Sequence, residues 1–528
     1  MKPPLLKVAL IWGKSTLGLR LGSPARILLA NQDILSFPAG ELTLELRSSW
    51  TPKKQSWFWI GNSHEQDLEG WLAKAIESQD LMACFWPVGL TPAGDEWRAR
   101  EYRVLLRSSD QHLSMEKLRQ RVEDIRPDAT PVMVDLPVEH AGGKIAIYEG
   151  EARKGAHAPS HAPTDLALPV KIESESTIAL LEAPIGEGFH WEHTETLEVA
   201  SSIWVAAGTD GRLCAGAEID VDDYLASVNS SEMPADAPLE FLKAQVVVAR
   251  SWLLANWGSH HPGEPYIACA GDHCQCYYGQ TRIQETSRQA VKATSGQVLT
   301  YGDRICDARY AKICGGFTEP AANVWPFVDE PYLGHFRDLP DAGVAQPIGG
   351  LTLPAAPSPD LSAEADFRQF QQRQDSADAC CSPGYAPFTG RLAHLADLYR
   401  WQEKIVLRDL REIIKTKTGQ DLGEIQDLVP GRRGPSGRLM ELTIIGDQDR
   451  LVAAPELEIR RLLSPSHLPS SAFWVERIGR GEIGLHGLGW GHGVGLCQVG
   501  AAALAANGSA CDRILAHYYP KTTPKKIY

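Results

Sequence analysis

The chain has 528 residues, enough for roughly three or four domains with sizeable cores. It is 43% hydrophobic and 22% charged, as in an ordinary globular protein, and 52 basic against 66 acidic residues leave a net charge of −14. That balance argues against nucleic acid or an anionic membrane as the main partner, and no apolar run reaches the length of a membrane span.

In chain order, "KVALIWG" (Lys7–Gly13) reads as a first β-strand. It is not read as part of a signal peptide, because Lys7 cuts the apolar stretch short and no small-residue cleavage site follows. "QSWFWIG" alternates like a strand and "HEQDLEGWLAKAIESQ" has helical spacing. "LMACFWPVG" and "EYRVLLRSS" read as two further strands, "LSMEKLRQRVEDI" as a second helix, and "TPVMVDL" closes the series. The order β-α-β-β-α-β is that of the ferredoxin-like split unit. In order and size it is similar to the small SPOR-type glycan-binding module. The expected fold class is α+β, with an N-terminal α/β region over 1–150 and a β-rich, partly helical remainder.

A Pro/Ala/His-rich linker follows, "EARKGAHAPSHAPTDLALP", and then a β-rich segment within 151–218. From Ile219 to Trp257 the chain reads "IDVDDYLASVNSSEMPADAPLEFLKAQVVVARSWLLANW". Leu239, Leu242, Val246, Ala249 and Leu253 form one helical stripe, while Val247, Val248, Trp252 and Leu254 make the other faces apolar too. Such a helix is buried on most sides, so its Lys243, Gln245 and Arg250 need partners. Glu232 stands at the entrance to this helix, either as a cap or ion-pair partner or as a catalytic acid.

Eleven cysteines cannot all pair internally. Cys269, His273, Cys274 and Cys276 cluster in "CAGDHCQCYYGQ", Cys314 precedes Gly315-Gly316, and Cys380-Cys381 is a further candidate near them. Sulfur and imidazole at this density suit tetrahedral zinc, although the spacing is not that of a zinc ribbon. Disulfides or buried free thiols are the alternative. A Pro/Gly-rich insertion over 341–390 precedes a helical stretch from Leu392 to about Thr418, and "VPGRRGPSGRLMELTIIGDQDRLVA" reads as strands around a turn.

The C-terminal stretch "HGLGWGHGVGLCQVGAAALAANG" has glycine at every second position from Gly487 to Gly495. As a strand it would carry one face without side chains, open to a ligand or another backbone. As a loop its glycines would take positive φ before a helix. A phosphate-binding loop is disfavoured, because no Gly-Lys-Ser/Thr step follows.

Three segments resemble the stage II sporulation protein D and LytB amidase-enhancer family: "YLASVNSSEMPADAPLEFLKAQVVVARSW", "AVKATSGQVLTYGDRICDARYAKICGGFTEPAANVW", and "GWGHGVGLCQVGAAALAANG" with "ILAHYYPKT". The resemblance covers the chain from about residue 170 to the end, with a core over 219–340 completed by 391–528. It implies a peptidoglycan lytic transglycosylase that cleaves peptide-free glycan between N-acetylmuramic acid and N-acetylglucosamine. A 1,6-anhydro end is left, with Glu232 as the single acid/base. For that step the Glu232 pKa has to be raised towards neutrality. Gln245, Arg250, Tyr310, Thr318, Glu319, His492 and Gln498 fall at motif positions as substrate contacts. Arg250 is a natural partner for the lactyl carboxylate of muramic acid.

Some family members bind zinc through cysteine and histidine, and Cys269, His273, Cys274 and Cys314 form the expected set here. The metal would be structural, since the catalysis described needs none. The alternative function is a non-catalytic amidase enhancer, with a cell-wall amidase as partner. An ordinary hydrolase would need a second carboxylate, for which Asp222, Asp223 and Glu319 are the candidates. The family's work lies outside the cytoplasmic membrane, while the sequence shows no export signal.

Overall fold

The computed structural model describes residues 2–528 apart from 29–33, 78–80, 95, 109–114, 126–130, 151–163, 188–191, 235, 272–273, 326, 341–359, 374–378, 386–392 and 480. His273 and most of both Pro-rich linkers lie outside the described residues. The chain forms a strand-rich α+β structure of two compact units. The first comprises Met1–Met233, Leu253–Gly296 and Ile527–Tyr528, and the second Pro234–Trp252 and Gln297–Lys526.

In the first unit the predicted opening strand runs Leu5–Lys14 and lies inside a seven-stranded sheet. It pairs antiparallel with Leu213–Asp220, Val8 facing Ala217, and parallel with Ala268–Cys269. A six-stranded sheet includes Thr16–Leu21, where Leu17, Leu19 and Leu21 are buried at strict alternation. Both sheets draw strands from before residue 50 and after residue 142. The sequence boundary at residue 150 is therefore corrected: hydrogen bonds between distant strands cross it, and local composition does not record them.

Inside that frame, strand Lys54–Ser63, helix α1 (Leu68–Glu77), strands Leu81–Ala93 and Glu96–Ser108, helix α2 (Met115–Ile125) and strand Val132–Pro137 follow the predicted order. The four strands pair antiparallel, with Glu96–Ser108 between Leu81–Ala93 and Lys54–Ser63, and Val132–Pro137 on the far side of Lys54–Ser63. Helices α3 (Val221–Glu232), α4 (Leu239–Ala255) and α5 (Glu285–Ala293) come next in the chain. As its composition predicts, α4 is buried on all sides from Phe241 onward except at Lys243.

In the second unit, α6 (Glu364–Gln371) and the short α7 (Ala393–Ala396) precede strand Arg400–Val406 and α8 (Leu407–Thr418). The single helix expected from Leu392 to Thr418 is therefore interrupted. Arg400–Val406 pairs with Glu482–Leu488 along its whole length, and this long-range ladder overrides local helical spacing. α8 buries Leu407, Leu410 and Ile414 at helical spacing and stops at Gly419, which takes the left-handed conformation. These side chains join Leu422, Leu442, Ile444, Phe473 and Leu485 in one core. The turn predicted after Val429 gives strands Ile425–Pro430, Leu442–Gly446 and Arg450–Ala453 in one sheet. Helices α9 (Glu456–Leu462), α10 (Gln498–Ala506) and α11 (Cys511–Tyr518) complete the unit.

Candidate functional site

In the first unit, Asp220 caps α3 by accepting from the Asp223 N–H at 2.9 Å, and Asp222 and Asp223 lie in the first turn, where the helix dipole favours negative charge. The helix ends at Glu232 because Met233 is extended and precedes Pro234. Residues Tyr224 to Ser230 are buried, whereas Ser231 and Glu232 emerge half-buried.

The segment after Cys274 runs along α3. The Tyr278 N–H donates to Ser227 Oγ at 3.3 Å and the Gln284 N–H to Ser230 Oγ at 3.0 Å. Tyr277 stacks on Tyr224 with centroids 5.2 Å apart. At the helix end the Cys276 N–H points to Glu232 Oε1 in a long contact of 3.5 Å. Asp222 accepts from Ser295 Oγ and Tyr528 OH. Asp222 and Asp223 lie nine or ten residues before Glu232 on one helix, about 13–15 Å along its axis. A pair of glycosidase carboxylates is separated by no more than about 9.5 Å, so neither can serve as the second carboxylate of a hydrolase.

Just before Cys276 lies a cysteine–histidine group. His261, Cys269 and Cys274 bring their ligand atoms within 4.8 Å of one another, and His261 Nε2 is 3.2 Å from Cys274 Sγ. A hydrogen bond from Cys269 lowers the Cys274 thiol pKa, against the effect of burial. Histidine and thiolate at these separations fit a tetrahedral metal. The expected set is corrected in two respects: His261, which spacing alone did not single out, joins Cys269 and Cys274, while Cys314 belongs to the second unit with a different set of neighbours. All eleven cysteines are unbridged.

In the second unit the alternating glycines are not a strand with a bare face. The strand ends at Leu488, and Gly489, Gly491, Gly493 and Gly495 all take positive φ. The loop is laid against the unit's own backbone: Ile313 and Trp490 exchange two hydrogen bonds of 2.9–3.0 Å, and the Leu496 N–H donates to the Arg309 carbonyl. A Cβ on Gly495 would fall 2.0 Å from that carbonyl, and one on Gly493 2.4 Å from the Arg438 guanidinium. The faces without side chains are therefore filled by protein.

The loop gathers several predicted residues. The Val494 N–H donates to His492 Nδ1 at 3.0 Å, so the ring proton sits on Nε2 and is directed to the Tyr310 carbonyl. Burial, with Arg309, Arg438 and Arg460 nearby, holds His492 well below the usual histidine range. Its ring edge meets Trp325 at 4.7 Å, and Arg309 covers Trp325 at 4.1 Å while paired to Asp307. Trp325 and Arg309 were missed because nothing in their local spacing marks them.

The Glu319 N–H donates to the Gly493 carbonyl, and its fully buried carboxylate accepts from Asn323 and from the Ser436 hydroxyl and N–H. Burial pushes the Glu319 pKa up, against those bonds and the charge of Arg438. Thr318 is fully buried, its hydroxyl donating to the Gly334 carbonyl at 2.9 Å. Gln498 is buried at the start of α10. On α4, Arg250 is fully buried and donates to the Gln297 carbonyl at 3.0 Å. Gln245 is fully buried, with neither amide atom bonded to protein among the described residues.

Residues 209–301 match the model of the stage II sporulation protein family, and residues 319–495 match a domain of unknown function (DUF8618). The chain is 28% identical to the amidase enhancer of Bacillus subtilis (strain 168), a match covering 57% of this chain and 40% of that protein. It is 24% identical to stage II sporulation protein D of Bacillus amyloliquefaciens, over 57% of this chain and 73% of the relative. The corresponding Bacillus subtilis protein is also 24% identical, over 58% of this chain and 74% of the relative. The chain thus spans less than half the length of the amidase enhancer it matches. Residues 209–301 are thus similar to the stage II sporulation protein family, and more than half of the chain is related at 24–28% identity to the amidase enhancer and to stage II sporulation protein D.

Proposed function

We propose that the protein acts on the bacterial cell wall as a lytic transglycosylase of peptide-free glycan, with Glu232 as its single acid/base. The observation that carries this reading is the half-buried Glu232, at the end of a helix buried from Tyr224 to Ser230 and facing the Cys276 amide. In the reaction, protonated Glu232 gives its proton to the oxygen linking muramic acid C1 to the next sugar. The C1–O bond breaks with oxocarbenium character at C1. The carboxylate then takes the proton of the same sugar's C6 hydroxyl, and O6 closes on C1. No water is consumed, and Glu232 ends protonated as it began.

His492 and Trp325 are proposed as sugar contacts, a neutral imidazole and an aromatic ring suiting a carbohydrate. The strand–helix unit over 54–137, in ferredoxin-like order, is proposed as a second glycan-holding module. Trp59, stacked under Arg103 at 4.4 Å, is its leading contact. A zinc ion held by His261, Cys269 and Cys274 would fix the segment that leads to the Cys276 amide, a structural role.

The test is digestion of purified glycan, with and without stem peptides, by the protein and by Glu232→Gln, read by mass spectrometry. Products ending in 1,6-anhydro-muramic acid, absent with the variant, are expected. Products heavier by one water would point to a hydrolase. Binding without cleavage would favour the second reading, a non-catalytic amidase enhancer, which rests on the Bacillus subtilis relative of that name. Stimulation of a cell-wall amidase would then be measured.

A further inference from the structure

The second unit contains a buried group of sulfur and oxygen atoms that takes no part in the chemistry proposed for Glu232. Cys314, Cys381, Cys497 and Asp338 are at most 3% exposed, and their ligand atoms all lie within 4.8 Å of one another. Cys314 Sγ is 3.6 Å from Cys381 Sγ and 3.3 Å from Asp338 Oδ2. In a tetrahedral zinc site with Zn–S near 2.3 Å and Zn–O near 2.0 Å, the S···S and S···O edges are about 3.8 and 3.5 Å. The two edges from Cys314, to Cys381 and to Asp338, therefore lie close to those of such a site, and Cys497 Sγ is within 4.8 Å of the other three ligand atoms.

The surroundings fit ligands rather than idle thiols. Backbone N–H groups point at two of the sulfurs: Gly316 to Cys314 at 3.4 Å, and Cys314 and Gly500 to Cys497 at 3.3 and 3.4 Å. Gly315 and Gly316 both take positive φ, which turns the chain back over Cys314. At Gly500 a Cβ would fall 2.7 Å from Asp338 Oδ2 and 2.4 Å from Tyr518 OH, so that position too is kept free of a side chain.

Asp338 is oriented from behind. His517 Nε2 donates to its Oδ1 at 2.8 Å and Tyr518 OH lies 3.1 and 3.2 Å from Oδ1 and Oδ2, while Oδ2 faces Cys314 Sγ, in the manner of outer-shell partners of metal ligands. A carboxylate buried against three sulfurs is costly unless a cation joins them. The fully buried Arg438 reaches the Cys314 carbonyl at 3.2 Å and offsets part of the remaining negative charge.

We propose that the second unit binds a zinc ion through Cys314, Cys381, Cys497 and Asp338, separate from the histidine–cysteine group of the first unit. Binding releases the thiol protons to solvent and involves no redox step. The ion ties together positions 67 and 183 residues apart in the chain. It thereby clips the Cys-Gly-Gly turn, the Cys380-Cys381 segment and the start of α10 into one structure. The proposal does not depend on Glu232 or on glycan cleavage.

The test uses the full chain, purified without added metal and dialysed, with zinc counted by elemental mass spectrometry in the wild type, Cys274→Ser and Cys381→Ser. One zinc that survives Cys274→Ser, and a zinc content lower by one ion in Cys381→Ser than in the wild type, is the expected result. Replacing zinc by Co2+ in Cys274→Ser should give intense thiolate-to-cobalt absorption with the visible bands of a tetrahedral ion. This second measurement decides the matter if Cys381→Ser does not fold. Undiminished zinc in folded Cys381→Ser overturns the proposal. So does the absence of zinc and cobalt binding in Cys274→Ser, or an intact mass two hydrogens low from a Cys314–Cys381 disulfide.

Discussion

Glu232 and Glu319 both occupy motif positions, yet their surroundings differ sharply. Glu319 is fully buried, with Asn323 and Ser436 on its oxygens and its own N–H spent on the glycine loop. Glu232 is half-buried where α3 emerges, facing a backbone amide at 3.5 Å. A carboxylate saturated with internal hydrogen bonds organises structure. One at a half-buried helix end is the better candidate for the acid proposed above.

The strongest way to break this contrast is to exchange the two roles. Glu232→Gln should lower cleavage of bare glycan by about 10²–10⁴-fold with the thermal midpoint little changed. Glu319→Gln should keep cleavage within a few-fold, and equal losses from both variants in a digestion assay would dissolve the distinction.

Removing the Glu319 side chain altogether tests its structural part. Glu319→Ala leaves the buried Ser436 and the half-buried Asn323 without their acceptor and should cost about 1–3 kcal/mol in denaturant unfolding. The glycine loop offers a sharper pair. Gly495→Ala combines positive φ with a 2.0 Å clash on the Arg309 carbonyl, whereas Gly508, also at positive φ, has nothing within 4 Å of a Cβ. Gly508→Ala should cost only the left-handed penalty of about 1–2 kcal/mol, and Gly495→Ala clearly more. Similar losses would mean that the loop yields easily.

The smallest expected effect is in pH dependence. His492 titrates below its unfolded value of about 6.5, so its contribution to stability is complete above that pH and is lost on acidification. Glu319 titrates above its unfolded value of about 4.3, so its contribution is complete below that pH and is lost as pH rises through the folded value. The two slopes oppose each other between those pH values. Glu319→Gln should therefore steepen the loss of stability on acidification and His492→Gln should reduce it, as read from unfolding midpoints between pH 4.5 and 6.5.

Much of this was legible locally. The apolar faces of α4 announced its burial, and "KVALIWG" marked the opening strand Leu5–Lys14. The order of elements over 54–137 followed from periodicity alone. The place of Glu232 beside Met233-Pro234 was legible, whereas its proposed role as acid came from the resemblance and not from local spacing. Strand Arg400–Val406 was not legible, since its helical spacing gave way to a partner some eighty residues later. His261 was not legible either, because it lies eight residues before Cys269 with no regular spacing between them.

By itself, then, the sequence determined most local elements and the presence of sulfur-rich segments, because periodicity and residue chemistry are properties of neighbours in the chain. Tertiary structure alone decided which cysteines meet, which carboxylate is saturated, and whether the alternating glycines face a ligand or the protein's own backbone. Those outcomes depend on long-range hydrogen bonds and close packing between segments far apart in the chain, which no local pattern encodes.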